Sequence, residues 1–262
     1  MYRVGNGQRL RRAAGAVIGA GALLAGTAGC SGPATDRAAA GAPTAGAVAS
    51  PSPSGTPGPG VDRLKQLVVA EGEKFGPYEV TDPLLDEPMS ELYEARPAAC
   101  QPLTALGKAG HTAQAYAKAS VPGQFQAVGT EILLRSYRDA GAAAAAVKSL
   151  ADAGGRCAGG YAEDRALAEA KVLKVEPVQA PALGDEARAY RIVTQDVKDP
   201  GISLYKYLTL VRSGSVTLAF RSDVIDTKDF GGVPQEVVAG QWEKFAKGTA
   251  ASAAQPTTAG KP

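Results

Sequence analysis

Histidine and cysteine are nearly absent from this 262-residue chain, which holds His111 and three cysteines, Cys30, Cys100 and Cys157. So few soft and nitrogen ligands exclude a zinc cluster, an iron–sulfur site or a haem attachment motif. No metal and no cofactor is therefore expected. A serine–histidine–aspartate hydrolase would have to use His111, which follows Gly110 and reads as a plain turn residue. The chain also lacks GxSxG, HExxH and GxGxxG. Gly159-Gly160 and Gly231-Gly232 are isolated pairs without a following Lys-Ser or Lys-Thr, so no phosphate loop is present. Carboxylates are numerous, but none stands out as half of a glycosidase couple. The expectation is that the chain is not an enzyme.

A strong charge of either sign is missing as well. Lysine and arginine number 28 and aspartate and glutamate 26. Four of the basic residues, Arg3, Arg9, Arg11 and Arg12, precede residue 30, where there is no acid. The remainder is close to neutral, which disfavours a nucleic-acid partner recruited by a basic surface.

Those arginines open an export signal over residues 1–29. An uncharged stretch from Ala13 to Gly29 follows, centred on Val17, Ile18, Leu23 and Leu24 and ending in small residues. The order positive, apolar, small defines a secretory signal, and the stretch is too short and too rich in Gly and Ala to span a bilayer well. The segment Ala25-Gly26-Thr27-Ala28-Gly29-Cys30 resembles a bacterial lipobox. That resemblance implies lipidation of Cys30, with a diacylglyceryl group and palmitate-type chains holding the protein on the extracytoplasmic face of the cell membrane. Two chains give a stable anchor where one gives marginal binding. Residues 31–60 carry six prolines and six glycines among Ala, Ser and Thr, with no apolar residue larger than Val48. Such a segment cannot offset its ordering entropy by burial. Residues 30–60 are read as a disordered spacer, and 249–262 as a frayed tail.

The burying residues cluster between 61 and 248, one domain of ordinary size. Val61, Leu64 and Val68 stand at helical spacing. Tyr78–Thr81 reads as a short strand before Pro83. Residues 82–97 carry Asp82, Asp86, Glu87, Glu91 and Glu94 without the spacing of a calcium loop, and read as a solvated loop. Ala98–Leu106 predicts a helix ended by Gly107 or Gly110, and Ala113–Ser120 and Ala127–Tyr137 predict strands. Asp139 caps an alanine-rich helix over 140–153 that Gly154-Gly155 should stop. Lys171–Val178, Ala187–Asp196, Ser203–Ser213 and Ser215–Ser222 predict further strands with turns at Asp199-Pro200-Gly201 and Ser213-Gly214. Pro234–Ala246 closes the domain as an amphipathic helix with Val238, Trp242 and Phe245 on its stripe. Short turns between consecutive strands force antiparallel pairing. The fold class is therefore α+β, an antiparallel sheet of five or six strands with flanking helices.

With Cys30 consumed by lipid, Cys100 and Cys157 remain, and an exported protein meets an oxidising environment. They are expected to pair in one disulfide. The sequence of features is a helix with Cys100, strands, an alanine-rich helix, Cys157, and a Leu183-Gly184-Asp185-Glu186-Ala187 turn into a hairpin and closing helix. This order resembles the extracellular sensor domain of PknH-type mycobacterial kinases, which actinobacterial envelope lipoproteins share. The resemblance implies an antiparallel sheet flanked by helices and a ligand cleft. It transfers no ligand residues, so the ligand-binding residues are unknown at this point. The expected role is a non-catalytic ligand-binding or sensor-like module of the cell envelope, taking a small molecule, a cell-wall component or an envelope protein. The rival roles are a protein–protein interaction module and a hydrophobic lipid carrier.

Overall fold

The computed structural model describes residues 55–253, apart from 86, 107–109, 125–126, 166–167 and 225. The expected export signal, Cys30, most of the spacer, Asp86, Gly107 and residues 254–262 lie outside the described residues. Contacts gather residues 50–262 into one compact unit. Among the described residues no helix is long and apolar enough to cross a membrane.

The chain forms α1 (Val61–Leu67), β1 (Lys74–Phe75), β2 (Tyr78–Thr81), β3 (Glu94–Arg96), α2 (Gln101–Thr104), β4 (His111–Ser120) and β5 (Gly129–Tyr137). It continues with α3 (Ala140–Arg156), β6 (Tyr161–Asp164), β7 (Glu169–Pro177), β8 (Glu186–Gln195), β9 (Ser203–Ser213), β10 (Val216–Asp223) and α4 (Gln235–Ala253). The ten strands among the described residues belong to one sheet in the order β1-β2-β4-β5-β10-β9-β8-β7-β6-β3. Every pairing is antiparallel. The α+β class therefore stands, but the sheet is larger than the five or six strands expected. Much of the excess lies toward the margins, where β1, β3 and β6 are two to four residues long. Such strands are too short for a period-two pattern to be read.

Helices cover both faces. Alternation along β5 and β10 sends Ile132, Leu134, Leu218 and Phe220 to a first face, where they pack with Leu64 and Leu67 of α1 and Val237 and Phe245 of α4. Leu133 and Ala219 point to the second face, with Leu208 and Leu210, against Leu103 and Leu106 around α2 and Val147 and Leu150 of α3. Trp242 is half-buried against the first cluster, a packing position. Gln241 ties α4 to the segment after α1. Its side chain is fully buried, accepts from Val69 N at 2.9 Å and donates to Leu67 O at 2.9 Å.

Asp139 caps α3, its Oδ1 accepting from Ala142 N at 2.7 Å. The helix does not stop at Gly154-Gly155 but runs to Arg156. A Cβ on Gly154 would lie 2.3 Å from the Tyr190 ring, so that glycine is there to let the helix approach β8. The sulfurs of Cys100, just before α2, and Cys157, just after α3, are bonded, with Cα atoms 5.9 Å apart. At the other junctions, Gly58 N donates to Tyr137 O at 2.9 Å, so the end of the expected spacer already belongs to the domain. Likewise α4 reaches Ala253, into the stretch expected to be tail.

Candidate functional site

The four helices leave part of the second sheet face bare, at the end where β5 begins and β10 finishes. A cleft of about 910 Å³ opens there. Its floor is made of strand residues: Tyr116, Lys118 and Ser120 of β4, Glu131 of β5 and Asp223 of β10. One wall is the segment from Asp82 to Met89; the other is the β4–β5 connection at Val121–Gln124.

The strand register explains the floor. Lys118 pairs with Glu131, Glu131 with Arg221 and Asp223 with Lys206 across neighbouring strands. Cross-strand partners share a face, so Lys118, Glu131 and Arg221 alternate in sign across β4, β5 and β10, and Asp223 and Lys206 oppose each other one step along β10 and β9. Tyr116 donates its hydroxyl to Glu131 Oε1 at 3.3 Å, and Arg221 Nη1 lies 3.6 Å from Glu131 Oε2. Burial pushes the Glu131 carboxyl above its ordinary range, against the opposing pull of Arg221; Asp223 adds to the rise and Lys118 resists it. Burial, followed by Glu131, likewise drives the Tyr116 phenol upward, so it is a firm donor at neutral pH.

Beside the floor, on the same face of the sheet, runs a buried polar layer. Arg221 reaches the carbonyls of Leu103 and Thr104 at the end of α2. Arg135, also buried, donates to Ala105 O at 3.0 Å, Leu106 O at 2.7 Å and Gln114 Oε1 at 2.7 Å, and is ion-paired with Glu91. The two arginines thus occupy the orphan carbonyls that end a helix. Desolvation lowers the Arg135 guanidinium to about 10. Beside them, Glu163 accepts from Tyr161 at 3.2 Å and from Arg165 at 3.1 Å, with Lys206 Nζ at 3.7 Å. Burial alone would raise the Glu163 carboxyl, but Lys206, Arg165 and Arg221 outweigh it and hold it at about 2. Burial lowers Lys206, with Glu163 pulling the other way.

The residues considered from sequence fall in different places. Asp82 and Glu87 line the cleft. Glu91 does not stand in a solvated loop but turns inward, in a 3-10 turn over Met89–Leu92, to meet Arg135. Glu94 sits on the edge strand β3. His111 is not a turn residue; it opens β4 opposite Tyr137, and the whole strand separates it from Ser120. Among the described residues no group of three or more His, Cys, Asp or Glu side chains has the placement to hold a metal ion.

Sequence reading did not single out Tyr116, Lys118, Glu131 or Asp223. A signal existed, since Glu131 and Arg135 flank Leu133 on one side of a strand that is otherwise a core strand, and Arg221 follows Ala219 in the same way. Charges on the buried face of a strand are costly and ask for partners.

The fold has a counterpart among solved structures. The crystal structure of the extracellular domain of PknH from Mycobacterium tuberculosis superposes with a TM-score of 0.51 at 13% identity, over 75% of this chain and 100% of that domain. The two share a fold. That agrees with the flanked antiparallel sheet implied by the resemblance to the sensor domain. An X-ray structure of an uncharacterised protein of Mycobacterium smegmatis, the Rv0999 ortholog, matches at 14% identity over 67% of this chain and 89% of that one. Its TM-score of 0.33 is too low to carry an argument. No family model matches the chain, and no curated protein matches it in sequence.

One local motif gains a physical explanation. Gly184 has φ 64°, and a Cβ there would lie 2.2 Å from Arg212 O. Asp185 then accepts from Gly214 N at 2.7 Å and from Arg212 Nη1 at 2.8 Å. The Gly-Asp pair is what fastens the turn before β8 onto the β9–β10 hairpin.

Proposed function

We propose that the chain is a membrane-anchored lipoprotein of the extracytoplasmic face whose domain is a non-catalytic, sensor-like binding module, with the cleft over Lys118, Glu131 and Asp223 as its ligand site. The observation that carries this reading is the cleft itself. A concave cleft of this size, with convergent polar groups on its floor and apolar side chains such as Leu84, Leu85 and Met89 on its walls, has the character of a ligand site. Its position supports the same reading. The chain enters the domain beside Tyr137 and Ser215, where Gly58 packs. The cleft opens at Gly129 and Asp223, at the far end of β5 and β10. A nine-residue strand is about 27 Å long, so the mouth of the cleft lies about that far from the point where the chain enters the domain. The fold of a kinase extracellular domain adds support for an extracytoplasmic place.

Native mass spectrometry of the protein purified from its own source tests the binding reading. A bound small molecule is expected, and Ser120→Trp, which fills the cleft, removes it. A ligand retained by that variant would refute the assignment. For the anchor, Cys30→Ala is expected to abolish incorporation of labelled palmitate; label on the variant would contradict it.

A further inference from the structure

We infer that the cleft takes an organic cation, an amine or quaternary ammonium carried on an apolar body. This rests on the assignment of the cleft as the ligand site.

The lining selects the charge. Its charged side chains are Asp82, Glu87, Glu131 and Asp223 against Lys118 alone. The cations beside the floor are already engaged. Arg221 lies 3.6 Å from Glu131 Oε2 and reaches the carbonyls that end α2. Arg135 is paired with Glu91 and also feels Glu87. Lys206, across the ladder from Asp223, has Glu163 at 3.7 Å. None of these three cations lines the cleft. Asp82, Asp223 and Lys118 are exposed and, among the described residues, enter no ion pair. Even with Glu131 set against Arg221 and Glu87 against Arg135, two acids face one lysine. The surface a ligand meets is therefore net acidic, and the walls of a cleft focus such a field. An anion is repelled by it, and a neutral polyol gains nothing from it.

The floor and rim select what carries the charge. The acids do not stand on open surface; they line a cleft of about 910 Å³, far more room than a bare ion fills. Among the described residues no three of them are placed to chelate a metal. Tyr116, its hydroxyl bonded to Glu131, adds an aromatic ring to the same floor. An aromatic ring beside carboxylates attracts an alkylated ammonium. At the mouth Leu84, Leu85 and Met89 are 103%, 50% and 59% exposed. Apolar side chains gathered around a cleft mark a contact surface. An inorganic cation leaves them in water, whereas an alkyl or ring body covers them.

The test is calorimetric titration of the full chain, carrying Cys30→Ala so that no acyl chain competes. The probes are octyltrimethylammonium, octyl glucoside, octyl sulfate and tetramethylammonium, all below micellar concentrations. Octyltrimethylammonium is expected to bind at least about tenfold more tightly than the other three. A carboxylate about 5 Å from a cation in a water-like medium contributes roughly fourfold to affinity, and the octyl chain adds apolar burial that tetramethylammonium lacks. Raising salt from about 20 to about 300 mM is expected to weaken that binding by at least about threefold. Asp82→Asn with Asp223→Asn is expected to weaken it by roughly tenfold, leaving octyl glucoside within about twofold and the thermal midpoint unchanged. Leu84→Ser with Leu85→Ser is also expected to weaken it by roughly tenfold. Ser120→Trp should abolish it, which separates the cleft from adsorption elsewhere on the surface. Equal or tighter binding of octyl sulfate or octyl glucoside, an affinity indifferent to the two asparagines, octyltrimethylammonium retained by Ser120→Trp, or none bound at all would overturn the inference. If octyltrimethylammonium fails while a native ligand is still lost with Ser120→Trp, the ligand class falls and the cleft stands. A native ligand that survives Ser120→Trp removes both.

Discussion

Glu91 and Arg135 join the segment that follows the wall of the cleft to the polar layer beside its floor, and breaking that pair makes a sharp test of the architecture. Both side chains are fully shielded from solvent. Replacing Glu91 with Ala leaves the guanidinium buried with its two carbonyl acceptors and Gln114 but without the carboxylate paired with it, Glu87 still acting on its charge. Removing one partner of a buried pair costs about 3–5 kcal/mol. Replacing Arg135 with Met strands the Glu91 carboxylate and also deprives Ala105 O and Leu106 O of their donor, adding about 1 kcal/mol for each lost hydrogen bond. The double variant, Glu91→Ala with Arg135→Met, buries no lone charge. Its cost reduces to the missing hydrogen bonds and the lost packing of Glu91, about 2–3 kcal/mol. Urea unfolding of all three should therefore find the double variant more stable than either single one. Costs that simply add, or a Glu91→Ala variant within about 1 kcal/mol of the parent, would show that the pair is not the buried link described here.

Three further outcomes follow from the packing. Reducing the Cys100–Cys157 bond, which spans 57 residues of sequence, is expected to lower unfolding stability by about 4 kcal/mol on the chain-entropy model; free thiols detected in the untreated folded protein would deny the bond. Glu163 is held at about 2 against an ordinary value of 4.5. A depressed acid contributes stability that is complete above the ordinary value and disappears as pH falls through the depressed one, here about 3 kcal/mol between roughly pH 5 and 2. Glu163→Gln should flatten the stability profile across that window, and an unchanged acid limb would disprove the role. Gln241→Leu orphans Val69 N and Leu67 O and is expected to cost about 2–4 kcal/mol in thermal or urea unfolding; a neutral result would mean α4 is fixed by its apolar stripe alone.

Much of the fold was legible because its long elements obey simple periodicities. Strands β9 and β10 are long runs rich in aliphatic and aromatic residues, buried on both faces over much of their length. The turn at Ser213-Gly214 leaves no choice but an antiparallel pair, and Asp139 followed by alanines dictates a capped helix. What could not be read falls into two kinds. The strands β1, β3 and β6 are too short to carry a pattern and exist only because a neighbouring strand offers them a ladder. Gly154-Gly155 has the local chemistry of a helix stop, but Tyr190 lies where a side chain would go, and contact across the chain overrides local propensity.

The amino-acid order alone indicated where the core would form, because the stripes of Leu64, Leu134, Leu218 and Phe245 must be covered; it did not mark the edges of the domain, which takes in Gly58 and runs to Ala253. Only the tertiary structure decided that β5 lies beside β10, far from it along the chain. That pairing aligns Lys118, Glu131 and Arg221 on adjacent strands of one face and leaves their end of the sheet uncovered. Charges distant in sequence compensate one another only when strand register sets them a few ångströms apart, and no local pattern encodes that register between strands without a common turn.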